Sequence, residues 1–254
     1  MQIPTENVIL GLVLALICAG VIFTYIANAY VKRNKEKLFE YTLPMSQENK
    51  DLGQRLMTDL SRFDEYIRKL GLNRTYRCSS SVVSNAANNT IKYLIKYSNI
   101  DNSETSLEYL DFCVDYLQSL QILRKNMLSL QEGICEHLPL FVRIFSTRKK
   151  IPYIICETKY SLSKMECPVF CFSYVSAAGK SQRSYKVQIT FETLKKLQSE
   201  VSAKLVKANH SKAQRSAMTN DLREAVKKRD NYTCCICGNS VYKEPNLLLE
   251  VDHI

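Results

Sequence analysis

The segment that decides the architecture is VILGLVLALICAGVIFTYIANAYV, which runs from Val8 to Val31 and contains no charged residue. A helix of this length rises roughly 36 Å, which is enough to cross the hydrocarbon core of a bilayer with some tilt. We therefore predict one transmembrane helix over residues 8–31, preceded by a short N-terminal tail over residues 1–7.

The residues that flank the apolar run bear on two questions, cleavage and orientation. Ala27-Asn28-Ala29 has the A-x-A form of a signal-peptide cleavage site, but Glu6 and the lack of Lys or Arg before the run do not fit a signal peptide. Four basic residues follow the run directly, and the positive-inside rule then places everything after Val31 in the cytoplasm. These residues are Lys32, Arg33, Lys35 and Lys37.

Composition limits the class of partner. Lys and Arg total 35 against 25 Asp and Glu, and the net charge of +10 favours an anionic partner, either nucleic acid or acidic lipid. The ten cysteines are mostly isolated within apolar runs, a pattern typical of a reducing compartment. At 254 residues the chain is long enough to bury a core, which argues against global disorder.

Residues 32–138 have the periodicity of helices. Apolar side chains recur at intervals of four and three after Pro44, and Gly71 ends the series. This stripe consists of Leu52, Leu56, Leu60, Phe63, Ile67 and Leu70. Two explanations stay open, core packing against neighbouring helices and self-association of the chain at the membrane.

Two further helices are predicted in this region. One runs from Val82 to Tyr97 and the other from Glu104 to Gln131. The second is expected to turn one set of apolar residues inward, namely Leu107, Leu110, Val114, Leu117 and Leu128.

Residues 139–210 change in character and predict a small antiparallel β-meander followed by a helix. Four segments are rich in β-branched and aromatic residues and are separated by basic, Gly or Ser turns. They are Leu140–Phe145, Tyr153–Tyr160, Val169–Val175 and Ser184–Thr190. Gly179 is expected to supply a positive φ in a hairpin turn, and a helix is expected from Glu192 to about Asn209.

Residues 211–254 form the last predicted region, and a basic helix is predicted near its start, after Thr219. Thr219 can cap a short helix with Asp221 and Glu224 in its first turn and the basic residues 227–229 in its last, which complements the helix dipole. Its basic residues suit contacts with nucleic-acid phosphates, although a solvated helix face is the alternative. These candidate nucleic-acid-binding residues are Arg223, Lys227, Lys228 and Arg229.

A C-x-x-C pair follows this helix. Cys234 and Cys237 can hold one zinc ion from a tight turn, with Gly238 at the point where the loop turns back, and Cys235 is expected to be a bystander. Taken alone, a redox pair or two unrelated thiols would explain the same spacing.

The last eight residues, Leu247–Ile254, predict an apolar strand that ends in Asp252 and His253. These two side chains can bind a divalent metal and accept a proton, whereas a buried structural pair is the alternative. Because neighbouring residues of a strand point to opposite faces, both can serve one site only if the strand is irregular at its end.

The combination of these motifs resembles a known family. Leu222-Arg223, Val226, Arg229-Asp230, Tyr232, Cys234, Cys237-Gly238, Leu249 and Val251-Asp252-His253-Ile254 resemble the first half of the HNH endonucleases, which have the ββα-metal fold with a zinc knuckle. The resemblance covers residues 222–254. It implies that Cys234 and Cys237 are half of a structural four-cysteine Zn2+ site, that Asp252 binds a catalytic Mg2+ or other divalent cation, and that His253 is the general base.

The sequence as a whole predicts an α+β chain with an N-terminal transmembrane helix, a helical region, a β-meander and a partial HNH domain. The resemblance implies a membrane-anchored endonuclease that hydrolyses phosphodiester bonds in DNA. The family's second cysteine pair and its helical metal ligand do not occur before Ile254, so we expect this segment to be a truncated, inactive form. The alternative is a non-catalytic zinc-knuckle module that binds nucleic acid or protein at the membrane.

Overall fold

A computed structural model of the chain describes residues 5–217 and 219–251. Within them the fold is α+β and mostly helical, and the chain divides into two compact units, one up to Ser199 and one from Glu200. The helices in chain order are α1 (Thr5–Arg33), α2 (Lys35–Tyr41), α3 (Met45–Lys69), α4 (Ser80–Ala86), α5 (Thr90–Tyr97), α6 (Glu104–Glu136), α7 (Leu140–Phe145), α8 (Ile151–Ile155), α9 (Phe191–Ala217) and α10 (Asn220–Arg229). The strands are β1 (Thr75–Arg77), β2 (Val169–Val175) and β3 (Gln182–Gln188).

Helix α1 contains the predicted apolar run. It is long and apolar enough to cross a membrane, the only such helix among the residues described. Most of its apolar side chains between Leu12 and Ile26 are exposed, whereas Ala27 and Val31 are fully buried. The last turns of α1 therefore belong to the packed body of the first unit.

The core of the first unit is the antiparallel pairing of α3 and α6. The Phe63 ring stacks on Tyr116 at 4.5 Å between centroids, and Tyr66 stacks on Tyr109 at 4.3 Å. Partner numbers fall in α6 as they rise in α3, which fixes the antiparallel direction. The apolar stripe of α3 thus packs within the chain, and Gly71 ends the helix region at a φ of +66°.

The helices of this unit depart from the sequence prediction in two details. The single helix expected from Val82 to Tyr97 is broken into α4 and α5, where the amides of Asn88 and Asn89 both donate to the Asn85 carbonyl. Asparagine favours such turns because its side chain competes with helical hydrogen bonding. Helix α6 extends to Glu136, and Leu128, expected inward, is 61% exposed because Leu123, Met127 and Leu130 form the inner face there.

The predicted four-stranded meander is half wrong. Val169–Val175 is a strand as predicted and β3 overlaps the fourth segment, but Leu140–Phe145 is helix α7 and the Tyr153–Tyr160 segment contains the end of α8. A proline in the first turn of α8, Pro152, is favourable at a helix start. Short apolar runs fit a buried helix as well as a strand, and tertiary packing decided between them.

The sheet has three strands in the order β1-β2-β3. Strands β2 and β3 form the expected antiparallel hairpin, with Gly179 at a φ of +68° in the turn, whereas β1 pairs with β2 in parallel. Phe170 and Phe172 project from the same side of β2 and are fully buried. Tyr93 and Tyr97 of α5 meet the edge of the Phe172 ring, so this helix covers the buried face.

Glu157, just after α8, joins three elements through charge. Its carboxylate pairs with Lys35 of α2 at 2.6 Å and with Lys50 of α3 at 2.7 Å. The hydrogen bonds and charges of Lys35 and Lys50 lower the pKa of Glu157 from 4.5 to about 2. Because all three groups are partly exposed, solvent screens these pairs.

This depressed pKa predicts a pH-dependent difference between the native chain and Glu157→Gln. The pairs stabilise the fold above the ordinary carboxyl pKa, and their contribution is lost as the pH falls toward 2. In detergent, the variant should therefore melt slightly lower than the native chain at pH 7, and the two melting curves should converge near pH 2. A difference that grows on acidification would contradict the ion-pair assignment.

Two helical glycines offer a matched pair of substitutions. A Cβ at Gly53 in α3 would lie 2.1 Å from Cγ2 of Thr158, whereas a Cβ at Gly133 in α6 meets nothing within 4 Å. We expect Gly133→Ala to stabilise the fold by up to about 1 kcal/mol through helix propensity. Gly53→Ala should destabilise it by about 1–3 kcal/mol through overpacking. Denaturant unfolding followed by circular dichroism measures both, and equal stabilisation by the two variants would refute the close approach at Thr158.

Candidate functional site

The predicted basic helix is present as α10 and begins as expected. The Thr219 hydroxyl accepts a hydrogen bond from the Leu222 amide at 3.2 Å, which satisfies one of the free amides of the first turn. Asp221 lies in the first turn and Lys227, Lys228 and Arg229 lie in the last, so the charges follow the helix dipole.

The four candidate nucleic-acid-binding residues are not equivalent. Lys227 pairs with Glu224 at 2.9 Å, and Arg229 makes a two-pronged contact with Asp230 at 2.8 and 3.0 Å. The Arg229 guanidinium lowers the pKa of the Asp230 carboxyl. Arg223 and Lys228 are exposed and form no ion pair with a described residue. Of the four candidates, these two cations are therefore the most accessible to a phosphate.

The chain reverses sharply after α10. Asn231 and Tyr232 both have a φ of +51°, the left-handed region that non-glycine residues seldom adopt. The turn is held by the Tyr232 amide, which donates to the Lys227 carbonyl at 2.7 Å. The Tyr232 hydroxyl also donates to Glu224 at 3.4 Å, and its ring meets the edge of Tyr242. The turn directs the following loop back beside α10.

The loop that carries the C-x-x-C pair is a short closed hairpin. Thr233 and Ser240 form an isolated antiparallel bridge at its base. Inside it, the Cys234 amide donates to the Asn239 carbonyl at 2.7 Å and the Gly238 amide donates to the Cys234 carbonyl at 2.9 Å. Gly238 has a φ of +71°, so a residue with a side chain would be strained where the loop turns back, as the sequence predicted.

The two predicted zinc ligands lie together in this loop. The Cys234 sulfur accepts hydrogen bonds from the Cys237 and Ile236 amides and from the Cys237 thiol, and these bonds lower the pKa of Cys234. Amides that point at a sulfur stabilise the thiolate, which is the form that binds metal. Hydrogen bonding from the Cys235 thiol instead makes a small contribution to lowering the pKa of Asp230, after that of Arg229. The donor set of Cys234 and Cys237 fits half of a zinc site, and that Cys235 is a bystander stays a prediction.

The segment that leads to Asp252 and His253 lies beside this loop. Leu249, Glu250 and Val251 line a cleft of about 280 Å³ together with Val226 of α10 and Cys234. The strand predicted from Leu247 is wrong over residues 247–251, which have no regular structure and leave Leu248 91% exposed. A strand needs a partner for its backbone groups, and no described residue forms a ladder with this segment.

The predicted catalytic residues Asp252 and His253 lie outside the described residues. Among those that are described, no group of three or more His, Cys, Asp or Glu side chains is arranged to hold a metal ion. Sequence reasoning missed the contacts of Cys235 and Arg229 with Asp230, although the adjacency of Arg229 and Asp230 is visible in the sequence. Comparison of the chain with models of protein families, with curated proteins and with solved structures yields no match.

Neighbouring cysteines of the loop provide a matched test of the metal site. Cys234→Ser should lose most of the Co2+ or Zn2+ binding of the chain, because one of two thiolates is removed. Cys235→Ser should bind as the native chain does, since this thiol faces Asp230 instead. Thiolate-to-cobalt absorption, recorded during Co2+ titration, measures both. Equal loss in the two variants, or none in Cys234→Ser, would refute the ligand assignment.

Proposed function

We propose that the chain is part of a membrane-anchored HNH endonuclease that hydrolyses phosphodiester bonds in DNA with a divalent metal. The observation that carries this proposal is the loop of Cys234 and Cys237, which shares a cleft with the segment that leads directly to Asp252 and His253. The family resemblance assigns Cys234 and Cys237 to a structural zinc site, Asp252 to the catalytic metal and His253 to the role of general base.

In this proposal His253 and Asp252 have separate roles in the hydrolysis. His253, as neutral imidazole, takes a proton from the water that attacks the phosphorus, a role suited to the near-neutral pKa of histidine. Asp252 supplies a carboxylate oxygen to the metal site. A divalent cation held there would stabilise negative charge on the phosphate and on the departing sugar oxygen.

The basic residues of α10 bind the substrate in this proposal. Arg223 and Lys228, exposed and without an ion pair in the described part of the chain, contact the DNA phosphates. Lys227 and Arg229 are already paired with Glu224 and Asp230, and they reach DNA only by exchanging these carboxylates for phosphate.

The anchor in this proposal is α1, with the rest of the chain in the cytoplasm. The run of basic residues after Val31 supports this orientation through the positive-inside rule. Burial of Ala27 and Val31 supports an uncleaved helix, because cleavage after Ala29 would remove Ala27 from the packed body.

The catalytic role is tested with two histidines. His253→Ala should lower plasmid nicking in Mg2+ or Mn2+ by at least about 100-fold, the usual contribution of a general base, and should leave zinc content unchanged. His210→Ala, an exposed histidine of α9, is the matched control and should retain nicking. The assay uses a protein that carries both C-x-x-C pairs of the family, since residues 1–254 contain one.

Two outcomes contradict the proposal. Undiminished nicking by His253→Ala would remove the histidine from the mechanism. A native gene product that binds DNA and zinc but does not nick the plasmid would favour the non-catalytic zinc-knuckle module.

A further inference from the structure

Helix α7 has an apolar face that no residue in the described part of the chain covers. Leu140, Phe141 and Ile144 are 71%, 38% and 60% exposed, whereas Val142 on the opposite face is fully buried. A cluster of large exposed apolar side chains on one helix face is more typical of an interaction surface than of scattered surface exposure. We name these three residues the α7 face.

This face lies directly beside the apolar helix α1. Phe145 stacks on Phe23 of α1 at 4.9 Å between ring centroids, and Phe141 meets the edge of the Tyr30 ring at 5.7 Å. From its start to its end, α7 therefore runs back along α1 toward the middle of the uncharged run, in the direction of the N-terminus.

The length of α1 puts this contact at the membrane boundary. A helix rises about 27 Å from Val8, where the uncharged run begins, to Ile26, close to the roughly 30 Å thickness of a hydrocarbon core. The buried residues Ala27 and Val31 pack against protein and do not face lipid. With α1 in a bilayer, Phe23 and its partner Phe145 lie near the cytoplasmic edge of the hydrocarbon.

A basic turn follows the α7 face. Arg148, Lys149 and Lys150 form one helical turn, and all three are exposed and make no ion pair within the described part of the chain. Arg143, the one charged residue of α7, is held by the Leu138 and Glu136 carbonyls, each at 2.9 Å. Arg148 donates to the Arg143 carbonyl at 2.6 Å and Lys150 lies 5.8 Å from the centre of the Tyr160 ring, so neither charge is neutralised by a described carboxylate. Apolar side chains next to such cations match the acyl chains and anionic phosphates of a cytoplasmic leaflet.

We propose that the α7 face and the basic turn Arg148–Lys150 form a second membrane contact, inserted into the cytoplasmic surface of an anionic bilayer beside α1. This inference rests on the proposed placement of α1 in the membrane. With this second contact, the body of the first unit lies directly on the lipid surface in a fixed orientation. With α1 alone, a single helix would connect it to the membrane.

The chain contains no tryptophan, so single tryptophans can report the depth of each element. The full chain is reconstituted in phosphatidylcholine and phosphatidylglycerol vesicles whose acyl chains carry bromine, a quencher. Ile144→Trp tests the α7 face, and Leu140→Trp, at its most exposed position, is a second probe should the first fail to fold. Leu14→Trp reports on α1 itself, and Val175→Trp, 47% exposed in the sheet, is the control outside the contact.

We expect Ile144→Trp and Leu140→Trp to lose fluorescence in brominated vesicles to an extent comparable with Leu14→Trp, while Val175→Trp keeps its intensity. Quenching of Leu14→Trp alone would overturn the α7 contact and leave the anchor intact. Absence of quenching at Leu14 would overturn the anchor and this inference with it. Equal quenching at Val175 would show that no particular face meets the lipid, which also overturns the proposal.

The basic turn is tested in the Ile144→Trp background with Lys149→Gln and Lys150→Gln. Each lysine near an anionic surface should change the insertion equilibrium by about five-fold, so the double variant should be quenched less in vesicles with phosphatidylglycerol. In vesicles of phosphatidylcholine alone, the native and substituted turns should give equal quenching. Equal quenching in both lipids would remove the lysines from the contact.

Discussion

The first unit depends on the aromatic packing between α3 and α6. Phe63 on Tyr116 and Tyr66 on Tyr109 bring together two long helices that the sequence separates by the sheet edge and two short helices. Aromatic pairs bury much apolar area and have preferred geometries, so they fix register as well as contact. Residues on these helices also position neighbouring elements. Lys50 of α3, for example, pairs with Glu157, just after α8.

The fold could be predicted from sequence where a pattern is long. The stripe of α3 repeats over several turns and defines one helix, and the residues of β2 match the predicted strand throughout. Leu140–Phe145 has the composition of a strand but is a helix, because a six-residue run holds too little periodicity to decide. Strand β1 has three residues and pairs in parallel with a distant strand, so no local signal announces it.

The candidate site follows the same division between local and non-local causes. The Thr219 cap and the direction of charge along α10 are local properties, and both could be predicted. The proximity of Cys235 to Asp230 requires the chain to reverse at Asn231 and Tyr232. Two consecutive non-glycine residues in the left-handed region have no sequence signature of their own.

That reversal has a consequence for the loop in its metal-free form. Left-handed backbone at two non-glycine residues costs free energy, so surrounding contacts must over-determine it. Those contacts run from Tyr232 to Lys227, Glu224 and Tyr242, and none of them passes through a thiol. The direction in which the polypeptide leaves α10 is thus set by tyrosine and amide interactions, and the proposed zinc would only have to bind sulfur atoms on a loop whose direction is already fixed.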